Sequence, residues 1–138
     1  MPANPKDYRY CEYIDLCMEG YGRFGVNALA MENNRALLEN GGLVNVGERI
    51  WKVPIGAWPK DPTMKTVGIY NRSIIIDGLQ GVGMAPLTRA LKWSPEQVEV
   101  FLMDVRRSLM KSPAHAYYTF HCVYGQKPGG EATSTTIA

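Results

Sequence analysis

The sequence predicts an α+β fold, with about five helices packed around a two-stranded ribbon. Three observations carry that reading. Apolar residues recur at three- and four-residue spacing through residues 94–111, "SPEQVEVFLMDVRRSLMK". They alternate at period two through residues 115–125, "HAYYTFHCVYG". β-branched and aromatic residues crowd residues 43–53, "LVNVGERIWKV". A length of 138 residues favours one domain, and a domain of that size buries roughly two thirds of the surface its unfolded chain exposes. Hydrophobic residues make up 46% and charged residues 20%, a globular composition rather than a disordered one.

Residues 6–24, "KDYRYCEYIDLCMEGYGRF", read as a first helix. Tyr10, Tyr13, Ile14, Cys17 and Tyr21 follow the spacing of one helical face. A face so rich in tyrosine is either ordinary core with hydroxyls reaching outward or the lining of an amphipathic pocket. A second helix near Leu29–Glu39 ends at Asn40–Gly42, because glycine accepts the left-handed conformation that closes a helix. The strand at 43–53 contains Gly47, which marks a bulge or a close backbone approach. Pro54 is expected to end regular pairing.

"KVPIGAWPKDP", residues 52–62, holds three prolines, a glycine and a tryptophan, so it is a stiff loop. Asp61 and Pro62 read as the cap and first residue of a third helix. "MKTVGIYNRSIIIDGLQ" continues it, and Gly78, Gly81 and Gly83 are expected to break it before a short helix in "MAPLTRALK". Ser94, Pro95 and Gln97 form a capping box with proline at the first helical position. Val98, Phe101, Leu102, Val105 and Leu109 then share one face, and Ser112–Pro113 closes the helix. The tail from Lys127 is small and polar, and residues 129–138 are expected to be disordered.

The formal net charge is +2, with both signs interspersed and no basic stripe, so nucleic acid is not expected as a partner. No stretch reaches the length of a membrane span, and "MPANPKDYRY" carries no apolar run of the kind a secretory leader needs. Cys11, Cys17 and Cys122 are odd in number and sparse, which argues against a disulfide framework and for reduced, small hydrophobic roles. Cytoplasmic or nuclear residence is the expectation.

Catalytic signatures are missing. There is no G-x-S-x-G, no H-E-x-x-H and no phosphate-binding glycine loop. His115 and His121 fall on one face of the expected last strand, about 20 Å apart at roughly 3.3 Å per residue, and cannot share a metal. No metal site is expected. Each histidine is a polar strand-face residue or a lone catalytic base.

The stiff loop carries a resemblance. Pro54, Ile55, Gly56, Trp58, Pro59, Lys60, Asp61, Pro62, Lys65, Gly68, Tyr70 and Asn71 match a P-I-G-x-W-P-K-D-P…K-x-x-G-x-Y-N run. That run resembles the C-terminal part of fungal class I S-adenosylmethionine-dependent methyltransferases, in the branch related to a regulator of fungal secondary metabolism. "LTRALKWSPEQVEVFL" and "HAYYTFHCVYGQKP" look like later segments of the same family, so the resemblance spans roughly residues 8–128. It implies that residues 1–128 are a partial methyltransferase-like domain on the substrate or cap side. The ribbon is then an antiparallel pair, the C-terminal remnant of a Rossmann-like sheet.

In such enzymes the cofactor rests on the N-terminal half, against a glycine-rich turn and an acidic residue. Nothing here matches either feature. The resemblance therefore implies no cofactor in this chain alone, and S-adenosylmethionine only with a partner chain. It implies a small-molecule substrate, with Trp58, Tyr70 and Asn71 at the pocket wall beside the tyrosine face of Tyr13 and Tyr21. Trp58 serves either as that wall or as simple packing of the loop. His115 and His121 are the candidate catalytic groups. Strand 114–124 is left with an open edge, which invites a homodimer or a chain supplying the cofactor half. The alternatives are a cofactor-independent cyclase or isomerase that reuses the substrate pocket, a non-catalytic interaction module, or a truncated product without activity.

Overall fold

In the computed structural model, which describes residues 8–27, 29–111 and 113–129, four α-helices and two strands follow one another. They are α1 (Arg9–Arg23), α2 (Asn34–Asn40), β1 (Val44–Pro54), α3 (Pro62–Ala85), α4 (Pro95–Lys111) and β2 (Tyr117–Gln126). A 3-10 turn (Ala30–Asn33) leads into α2, and a π-helical turn (Pro86–Ala90) extends α3. The architecture is α+β. The strands form one two-stranded sheet in the order β1-β2, and they run antiparallel.

The chain divides into two compact units. The first takes residues 1–28 and 52–119, the second residues 29–51 and 120–138. Residues 130–138, where the disordered tail was expected, lie outside the described residues, as do residues 6 and 7 of the first expected helix and Ser112.

The first unit is built on α1, α3 and α4. The apolar face of α4 buries Val98, Phe101, Leu102, Val105 and Leu109, the face that its 3–4 spacing defines. Its start uses both halves of the capping box. Gln97 Oε1 accepts from the Ser94 N–H at 2.8 Å, and the Gln97 N–H donates to Ser94 Oγ at 3.2 Å. Against α4 lie Tyr8, Tyr13 and Cys17 with Leu79 and Leu87, all in one cluster with Ile55.

Two expectations are corrected here. Gly78, Gly81 and Gly83 do not break the third helix, which runs unbroken for 24 residues to Ala85. A glycine inside a helix costs about 1 kcal/mol, which tertiary packing readily outweighs. Leu79 and Gly83 are buried on the inner face. A Cβ on Gly83 would stand 2.7 Å from the Tyr13 ring, so glycine is what lets α1 approach. The expected separate helix in "MAPLTRALK" is therefore the end of α3 and its π-helical turn, where the Leu91 N–H reaches back five residues to the Pro86 carbonyl. Among the described residues there are four α-helices rather than about five.

Pro54 does not end the pairing either. It is the last residue of β1, and the next N–H, of Ile55, still donates to the Ala116 carbonyl at 2.9 Å. Proline survives there because its missing N–H falls on the side away from β2. The loop that follows is pinned to α3. Gly56, at φ +101, donates its N–H to the Gly68 carbonyl at 2.9 Å. The approach is so close that a Cβ on Gly68 would fall 2.0 Å from the Gly56 oxygen. Asp61 caps α3, its Oδ1 accepting from the Met64 N–H at 2.8 Å.

The second unit holds the 3-10 turn, α2 and the outer part of the ribbon. Trp51 and Phe120 meet with ring centroids 6.1 Å apart. Tyr124 lies over Gly47, where a Cβ would come within 2.6 Å of its ring, so the glycine serves a close approach. Asn45 takes positive φ within β1 and donates from Nδ2 to Gln126 Oε1 at 2.7 Å.

Candidate functional site

The helical spacing of α1 sets Cys11, Ile14 and Asp15 along one side of the helix. Facing them is the stretch from His115 to Tyr118, where β2 begins. Between the two lies an open groove of about 590 Å³, floored by Ile55 and by Tyr8 and Tyr10. Its lining is aromatic and aliphatic, with one carboxylate, Asp15, and one imidazole, His115. A cleft of that size suits a small molecule.

The Tyr8 and Tyr10 phenols of this groove are neutral groups. Burial pushes the Tyr8 hydroxyl well above its ordinary range, reinforced by Tyr10, and burial likewise raises Tyr10. The Cys11 thiol is raised by burial and then by the neighbouring Asp15 charge, so it stays protonated at neutral pH and is a poor nucleophile. The groove can therefore enclose an apolar, planar body and offer hydroxyls at its wall. Its proton-accepting side chains are Asp15 and His115.

His115 precedes β2 instead of sitting within it, which corrects the expected strand start. Its ring stacks on Trp58 at 4.9 Å and 13°. Trp58 is itself held by its indole N–H, which donates to the Ala116 carbonyl at 2.9 Å. His121 is in the second unit, with Nδ1 2.9 Å from Glu48 Oε1.

None of the five residues expected at a pocket wall lines this groove. Three stand directly behind its lining. Trp58 backs His115, Tyr13 stacks on Tyr10 at 6.0 Å and 18°, and Asn71 accepts from the Tyr118 hydroxyl at 3.2 Å. Asn71 also donates from Nδ2 to the Pro54 carbonyl at 2.8 Å and is buried. Tyr21 serves the helix contact, donating its hydroxyl to the Val82 carbonyl at 2.8 Å, as Tyr13 does to Leu79 at 2.9 Å. Tyr70 is 68% exposed on α3. Tyr10 and Ile14 lie on the helix face for which a pocket lining was one alternative, whereas sequence reasoning passed over Tyr117 and Tyr118. The period-two pattern marked the two tyrosines only as strand residues, and no local signal shows that α1 faces them.

Fold and groove define an α+β protein with a small, tyrosine-walled cleft. The sequence relatives add a family. The chain is 32% identical over 128 residues to methyltransferase pytC of Aspergillus terreus, a match covering 93% of this chain and 39% of that protein. It is 33% identical over 95 residues to secondary metabolism regulator LAE1 of Cochliobolus heterostrophus, covering 68% of this chain and 31% of the regulator. It is 31% identical over 91 residues to probable methyltransferase tdiE of Emericella nidulans, covering 66% and 29%. The chain is a relative of these fungal methyltransferases, and it spans well under half of the length of each. No family model and no solved structure matches it.

The residues present do not fit S-adenosylmethionine. A dinucleotide-type site needs a strand, a tight glycine turn and a helix start in succession. Gly78, Gly81 and Gly83 lie inside α3 instead, and among the described residues the turn that joins a strand to a helix, residues 55–61 between β1 and α3, carries a single glycine, Gly56, rather than a glycine-rich run.

Proposed function

We propose that these 138 residues form the substrate side of a fungal secondary-metabolism methyltransferase, with the methyl donor held by other sequence. The observation that carries the proposal is the apolar groove between α1 and His115–Tyr118, in a chain whose match to pytC covers 93% of its length. In this reading the groove takes a small-molecule acceptor. His115, fixed by its stack on Trp58, accepts the proton that the acceptor loses. Tyr13, Trp58 and Asn71 hold the lining in place from behind, which gives the stiff proline loop its purpose.

The companion sequence joins through β2. Among the described residues this strand pairs on one side only, and Phe120 and Tyr124 on it are half-exposed. Such an edge accepts a further strand from a second copy or from a chain that carries the donor site.

Calorimetric titration of the purified chain with S-adenosylmethionine tests the main reading. We expect no saturable heat from the chain alone, and saturable binding once a donor-binding chain is added. Micromolar binding by the chain alone would overturn the division of labour. Sedimentation at micromolar concentration tests the edge, where a sharp monomer in the absence and presence of that partner would remove it.

A further inference from the structure

The proline loop builds a second groove, separate in chemistry from the first. It has a volume of about 360 Å³ and lies between the end of β1 and the start of α3. Trp58, Met64 and Tyr117 give it an apolar floor, with Lys52 and Lys60 on its wall. The Lys52 ammonium sits 4.9 Å from the Tyr117 ring centroid. Neither lysine has a carboxylate partner among the described residues. The remaining charged group of the lining, Asp61, directs its carboxylate to the Met64 N–H at the start of α3.

The floor is held in advance of any ligand. Trp58 is fixed by its indole hydrogen bond to Ala116 and by the stack on His115. Pro54 and Pro59 are buried on either side of it, and proline leaves little backbone freedom to lose on binding. Trp58 nevertheless keeps 37% of its surface exposed. A rigid aromatic floor beneath two unpaired cations is complementary to a flat apolar body that carries a negative charge.

We propose that this groove binds a small aromatic carboxylate, its ring against Trp58 and its charge toward Lys52 and Lys60. The first groove has the opposite bias, with Asp15 as its charge and no lysine or arginine in its lining. The two sites therefore discriminate between an anion and a neutral analogue of the same shape. The proposal stands apart from the methyl-transfer reading and survives its failure.

The test uses the full chain with 2-naphthoate and 2-naphthol, followed by calorimetry and by the tryptophan indole N–H signals in a ¹H–¹⁵N spectrum. We expect 2-naphthoate to shift the Trp58 indole signal and to bind more weakly as salt rises. Lys52→Met and Lys60→Met together should weaken it about tenfold, since each removes one exposed cation that faces the carboxylate. Both lysines are exposed, so an unchanged urea midpoint is expected of the double variant. Equal binding of 2-naphthol at Trp58, or unchanged 2-naphthoate affinity in the double variant, would overturn the proposal. So would a shift confined to the Trp51 or Trp93 indoles, or binding of an acidic peptide without any of 2-naphthoate.

Discussion

Replacing Asn71 by leucine is the sharpest probe of how the proline loop, the ribbon and the groove are tied together. The side chain is 9% exposed and bridges two elements, donating to the Pro54 carbonyl at 2.8 Å and accepting from the Tyr118 hydroxyl at 3.2 Å. Leucine has nearly the same size, so cavity formation contributes little. It leaves the carbonyl of Pro54, a buried residue, without its donor, a loss of about 1–3 kcal/mol. The Tyr118 hydroxyl can turn to water, because that residue is 40% exposed, and adds only about 0.5 kcal/mol. The expected total is about 1.5–3.5 kcal/mol, or roughly 6–14 °C in Tm for a chain of this size. Urea denaturation followed by circular dichroism measures it, with an unchanged slope showing that stability alone has moved. Tyr118→Phe leaves the Oδ1 of buried Asn71 without its donor, so it should cost about 1–3 kcal/mol by itself and nothing further in the Asn71→Leu background. A total loss below about 0.5 kcal/mol would refute the reasoning, because it would mean that the Pro54 carbonyl finds water or another donor.

Three further outcomes follow from the same geometry. Gly68→Ala should destabilise by about 2–4 kcal/mol or prevent folding, since its Cβ would collide with the backbone oxygen of Gly56 at 2.0 Å and backbone cannot step aside as a side chain can; near-native stability in urea would contradict this. Ser94→Ala should cost about 1 kcal/mol through loss of half the capping box at α4, read by the same denaturation series. Stability should also fall in alkali. Tyr8, Tyr10 and Tyr13 all have hydroxyls raised by burial, so the folded state keeps protons that the unfolded state releases from about pH 10 upward. Their contribution is complete below that pH and is lost as pH rises through the folded values. The urea midpoint at stepped pH should hold to about pH 9 and drop beyond pH 10, with the tyrosinate absorbance of Tyr8, Tyr10 and Tyr13 appearing only as the protein unfolds. A midpoint indifferent to pH up to 11.5 would show that these hydroxyls are hydrated in the folded state.

Much of the helical scaffold was legible because its signals are local. Ser94, Pro95 and Gln97 announce α4 by chemistry confined to one turn, and the spacing from Val98 to Leu109 names its buried face. Asp61-Pro62 likewise announces α3. The glycines of α3 misled for the same reason. Their local preference is against helix, by about 1 kcal/mol each, and only the approach of Tyr13 from α1 shows why Gly83 stays within one. The tyrosine-rich face of α1 left core and pocket open as alternatives, and the structure divides it. Tyr13 is buried and hydrogen-bonded to α3, whereas Tyr10 lies at the groove. Trp58 and Asn71 drew attention by their place in a motif; both stand behind the lining of the α1 groove, and Trp58 lines the second groove.

By itself, then, the sequence determined the two strands, the starts of α3 and α4, the apolar face of α4 and the kinship with fungal methyltransferases, since each is written in residues close together along the chain or in a direct match. The tertiary structure alone decided where chemistry converges. The groove joins residues 8–15 to residues 115–118, and the Asn71 bridge joins residues 54, 71 and 118. Contacts between such distant positions depend on the packing of α1, α3 and α4 around a shared core. That packing is a collective minimum of many small apolar burials, and no short stretch of sequence expresses it.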